Sequence, residues 1–75
     1  MNFEIELDQE EDGRWIAEIP ELLGVIVYGE TQSQAEVKAK VLALRVLVDR
    51  MENDEPVPVF DSISFISLHE PVAVN

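Results

Sequence analysis

The chain contains no cysteine, one histidine, three glycines, and only five Lys and Arg against 16 Asp and Glu, for a net charge of −11 over 75 residues. Each shortage removes a class of function. Without cysteine there is no disulfide and no thiolate zinc site, and one histidine cannot supply a three-histidine zinc site. The glycines, Gly13, Gly24 and Gly29, never fall in a Gly-x-Gly pattern, so no phosphate-cradling loop is encoded. A sequence pI near 4.1 repels phosphate, which argues against direct nucleic-acid binding and against docking on an anionic membrane. No apolar run exceeds four residues, too short to span a bilayer. The start, Met1-Asn2-Phe3-Glu4, lacks the basic and apolar regions of a signal peptide, so cytoplasmic residence is expected.

What remains is a chain that is 47% hydrophobic, too apolar for a disordered acidic tail. Its length supports one small domain, 1–75, and a domain of this size without disulfide or metal commonly gains stability by association. The acidity itself has two readings, solubility or attraction of a basic partner.

Residues Phe3 to Asp8 alternate, with Phe3, Ile5 and Leu7 on one side and Glu4, Glu6 and Asp8 on the other. That period of two predicts a strand with one buried and one acidic face. Gln9 to Gly13 reads as a turn, and Arg14 to Ile19 as a second strand carrying Trp15, Ala17 and Ile19 on its apolar side. Trp15 is expected to be the main aromatic anchor, packed with Phe3, Ile5, Leu7 and Leu42. Pro20 ends this strand, and Val25 to Tyr28 predicts a short third one, broken by Gly29. Thr31 with Gln34 has the spacing of a capping box, and no Pro or Gly follows until after Asn53. One long helix is therefore expected from Gln32 to about Asn53.

At 100° per residue that helix carries two opposed apolar stripes. Ala35, Ala39, Leu42 and Val46 suit close packing on a sheet, while Val37, Val41, Leu44, Val48 and Met51 point the other way and need a second cover. Either the C-terminal segment folds over this outer stripe, or it is an interface with another copy or a partner. Glu55-Pro56-Val57-Pro58 predicts a stiff connection, and Ile63 to Leu68 a fourth strand in which Ile66 breaks the alternation by a bulge or by apolar groups on both faces. Glu70 to Val74 either extends that strand or trails from it. The expected fold is α+β, a single β-β-β-α-β domain with a mostly antiparallel sheet and one helix on one face.

Catalytic signatures are absent. His69 sits alone beside Glu70 and Pro71, and Ser62, Ser64 and Ser67 read as the wet face of a strand, none in the Gly-x-Ser-x-Gly setting of an exposed nucleophile. Glu10, Glu11 and Asp12 lack the spacing of an EF-hand loop and read as solvated surface. No catalytic, cofactor-binding or metal-binding residue is assigned, and no cofactor is expected.

The stretch Asp12-Gly13-Arg14-Trp15-Ile16-Ala17-Glu18-Ile19-Pro20-Glu21-Leu22-Leu23-Gly24 resembles the signature of the HicB-type antitoxin family, with its Asp-Gly turn, aromatic residue, Ala-Glu pair and Pro-x-Leu-x-Gly loop in this order. Gly29-Glu30-Thr31, the helical Ala35 and Ala39, and the connector Glu55 to Pro58 continue the likeness, which covers roughly residues 3 to 60. Leu23 stands where the family often has Pro, and Val25 where it often has Cys. The resemblance implies a domain similar to a partial ribonuclease H-like fold without its catalytic acidic cluster. It implies a binding role, the direct neutralisation of a small basic RNA-cleaving toxin. Many members carry a C-terminal DNA-binding region, which is not expected here.

Three functions follow as expectations. The first is an antitoxin-like module that masks a basic toxin, with Glu4, Glu6 and Glu18 steering the partner. The second is a homo-oligomer of the same fold, a dimer or larger, acting as a structural or regulatory subunit and held through Val37, Val41, Leu44, Val48 and Met51. The third is a metal-dependent nuclease on a ribonuclease H-like frame.

Overall fold

The computed structural model describes residues 2–22, 24–55 and 63–69. Strand β1 (Asn2–Gln9) pairs antiparallel with β2 (Trp15–Glu18), and β2 antiparallel with β3 (Ile26–Gly29). Helix α1 (Gln32–Glu52) follows, and β4 (Ser64–His69) returns to lie parallel to β1. The sheet order is β3-β2-β1-β4, and the helix packs across β3, β2 and β1. This is the expected α+β architecture, antiparallel except at its β1–β4 pair.

The β1–β2 turn forms because Gly13 adopts φ +94, a conformation that costs a side-chain-bearing residue energy. Asp12 fixes the turn further. Its Oδ1 accepts from the Arg14 backbone N–H at 3.0 Å and its Oδ2 from Arg14 Nε at 2.8 Å. The Arg14 backbone N–H, and then its guanidinium, hold the Asp12 carboxyl below the usual value of 3.8.

Thr31 caps the helix as expected, its Oγ1 accepting from the Gln34 N–H at 3.0 Å. Gln34 reaches back one residue further than a capping box requires and accepts from the Glu30 N–H. At the other end Asp54 turns to φ 54, and the Glu55 N–H bonds the Arg50 carbonyl, which terminates the helix.

The core lies between helix and sheet. Phe3, Ile5 and Leu7 of β1, Ala17 of β2, and Ile19, Leu22 and Val25 of the β2–β3 connection are buried against Ala35, Ala39, Ala43 and Leu47. The helix is therefore rotated from the expected stripe. Ala35 and Ala39 face the sheet as read, but Ala43 and Leu47 complete the row, and Leu42 and Val46 flank it, partly buried. Three alanines four residues apart bring the helix backbone close to the strands. Gly29 marks a close approach, since a Cβ there would lie 2.6 Å from the Ala35 backbone nitrogen.

Trp15 is not the central anchor. It sits at the end of β2, half-buried at the margin of the core, and the aromatic pair in the packing is Phe3 with Phe65, ring centroids 5.8 Å apart. The β1–β4 register runs without interruption from Asn2↔Ser64 to Leu7↔His69. Ile66 therefore breaks the pattern by placing apolar groups on both faces, with no bulge. Ser67 shares the register of Ile5 and lies on the helix side, whereas Ser64 is on the outer side. The connector Pro56 to Pro58, Ser62, Leu23, the tail from Glu70, and the side chain of His69 lie outside the described residues.

Candidate functional site

The face of the sheet turned away from the helix is built from the alternate residues of all four strands. Register sets its layout. Ile26, Glu18, Glu6 and Leu68 form one row across the sheet; Tyr28, Ile16 and Asp8 form a second; Glu4 lies beside Ile66 in a third. Neighbouring strands are about 4.8 Å apart, so each row places its side chains within one contact surface.

Carboxylates predominate on the two central strands, with Ile16 among them, and apolar groups on the two edges. Glu4, Glu6, Asp8 and Glu18 are exposed, as are Ile26 and Tyr28 on β3 and Ile66 and Leu68 on β4. Glu6 and Glu18 face each other directly in the antiparallel pair. Like charges in that position destabilise a sheet by a few tenths of a kcal/mol to about 1 kcal/mol. Among the described residues no cation pairs with any of the four; the ion pair that is present, Arg14 with Asp12, is at the turn. Arg14 also lies 5.1 Å from the centroid of the Tyr28 ring, at the corner of the face.

The expected steering residues Glu4, Glu6 and Glu18 are thus brought together on one surface. Sequence reading alone did not add the apolar rim. The alternation of Ile66 and Leu68 carried the signal, but their position beside Glu4 and Glu6 depends on the long-range β1–β4 pairing.

The expected interface residues Val37, Val41, Leu44, Val48 and Met51 lie on the opposite side of the domain. All five are between 44% and 55% exposed, so the described part of the chain leaves this stripe uncovered. The two groups of residues belong to two separate surfaces, with the core between them.

A shallow hollow of about 320 Å³ lies at the start of the helix, lined by Arg14, Tyr28, Gly29, Glu30, Gln34 and Lys38. Its cations are engaged, Arg14 with Asp12 and Lys38 with the Tyr28 carbonyl at 3.1 Å. Among the described residues no three or more His, Asp or Glu converge closely enough to hold a metal ion, and no helix is long and apolar enough to cross a membrane. The open face suits non-covalent binding. Its carboxylates can receive Arg or Lys heads while the rim receives their aliphatic stems.

No family model, curated protein or solved structure matches the chain.

Proposed function

We propose that this chain is a cytoplasmic binding module of the antitoxin type, which masks a small basic RNA-cleaving protein by covering it with the open face of the sheet. The observation that carries this reading is the group of uncompensated carboxylates, Glu4, Glu6, Asp8 and Glu18, between two exposed apolar edges. In the free chain the Glu6–Glu18 pair is a cost, which a cationic partner would relieve. The resemblance of residues 12–24 to the HicB-type signature points to the same kind of partner.

Charge at such a surface mainly raises the association rate, and apolar contact sets the lifetime of the complex. Replacing Glu4, Glu6 and Glu18 together by Gln is expected to slow association with a small basic RNA-cleaving toxin by about 10-fold or more, and to flatten its dependence on salt. Dissociation should change less, because exposed charges are each worth about 0–1 kcal/mol. Stopped-flow or surface-based kinetics at two ionic strengths would test this. An association rate indifferent to both salt and substitution would show that the acidity serves solubility alone.

A further inference from the structure

The outer stripe of the helix has a property beyond being apolar. Val37, Val41, Leu44, Val48 and Met51 are spaced four, three, four and three residues apart, the repeat of a coiled-coil seam. Val41 and Val48 take the a positions, and Val37, Leu44 and Met51 the d positions. The two heptads span about 21 Å of helix. The other side of α1 is fixed on the sheet by Ala35, Ala39, Ala43 and Leu47, so this seam is presented outward from a rigid platform.

The flanking charges select the occupant and its direction. Lys38, Arg45 and Glu52 lie at e, and Lys40 at g. In a parallel pair each Lys40 would meet the partner's Arg45, two repulsions with no ionic attraction in return. In an antiparallel pair with Leu44 layered on the partner's Val48, Lys38 meets the partner's Glu52 twice, and the like-charge contact is Arg45 against the partner's Arg45 at the two-fold axis. An antiparallel register one heptad away sets Lys38 against the partner's Arg45 instead. Lys38 donates to the Tyr28 carbonyl, and its ammonium has two further N–H donors for such a pair.

We propose that two copies of this chain associate through α1 as an antiparallel helix pair, Leu44 of each against Val48 of the other, which leaves both acidic sheet faces outward. The contact does not depend on the partner reading above. With two heptads the interface is small, so dimerisation at micromolar concentration is expected. A two-fold dimer of this kind offers two identical open faces and is bivalent toward a basic partner.

Because the chain has no cysteine, single-cysteine variants report the geometry directly. Arg45→Cys is expected to form a disulfide-linked dimer under mild oxidation, since the two copies of residue 45 flank the axis. Val37→Cys should not, as its two copies would lie about 27 Å apart along the paired helices. Sedimentation of the unmodified chain should give a species near twice 8.5 kDa that Leu44→Asp converts to monomer with an unchanged circular dichroism spectrum. A chain that sediments only at 8.5 kDa overturns the proposal. So does a dimer that cross-links through position 37 and not through position 45, or one that survives Leu44→Asp.

Discussion

Gly29→Ala is expected to destabilise the domain by about 3 kcal/mol, lowering Tm by roughly 15 °C. The added Cβ would lie 2.6 Å from the Ala35 nitrogen and 2.9 Å from its Cα. Both are backbone atoms in the first turns of α1, so the clash cannot be relieved by turning a side chain. The helix must move off the sheet, and with it the close row of Ala35, Ala39 and Ala43. Thermal unfolding followed by circular dichroism measures the effect. A variant that melts with the parent would mean that the helix start can shift freely and that the alanine row does not fix it.

Ile5→Ala should cost about 4 kcal/mol. Ile5 is fully buried, on a strand with neighbours on both sides, and faces the alanine row. The small residues opposite it have no long side chains with which to fill the space it leaves. A domain of this length is stable by roughly 4–11 kcal/mol, so the loss is a large part of the total. Urea unfolding would measure it, and the change should fall in the midpoint rather than the slope. A loss below about 1 kcal/mol would place the main packing elsewhere, for instance between Phe3 and Phe65.

These two positions show what was legible in the sequence. The alternation of β1 and β2 assigned Phe3, Ile5, Leu7 and Ala17 to the inside and Glu4, Glu6 and Glu18 to the outside, because a strand has only two faces and one wrong step would bury a carboxylate. The helix was legible in extent, since Thr31 caps it and no Pro or Gly interrupts it. Its rotation was less so. Val41 to Leu44 and Val46 to Val48 are apolar on every side, and hydrophobicity alone cannot choose between the row of Leu42 and Val46 and the row of Ala43 and Leu47. The spacing of Ala35, Ala39 and Ala43 settles it physically, because only small side chains allow the approach seen at Gly29.

Trp15 misleads by its size. Its place at the end of β2, opposite Gln9 and Gly29, puts it at the margin of the core. The parallel return of β4 to β1 has no local signal at all, since it depends on the path the chain takes after the helix. Through that pairing Ile66 and Leu68 border the carboxylates, which is why the acidic centre of the open face is legible in the sequence and its apolar rim is not.

The two surfaces have different chemistry and should take different occupants. The helix seam is neutral along its centre and suits a second copy; the open sheet face is acidic at its centre and suits a cation-bearing protein. The most direct test is to map the surface by NMR, adding a small basic RNA-cleaving toxin, the class of partner proposed, to the isotope-labelled chain. The amides and side chains of Glu4, Glu6, Glu18, Tyr28, Ile66 and Leu68 are expected to shift, while those of Val41, Leu44 and Val48 stay in place. Shifts confined to the helix seam, or none at all, would contradict the assignment of the open sheet face as the partner-binding site.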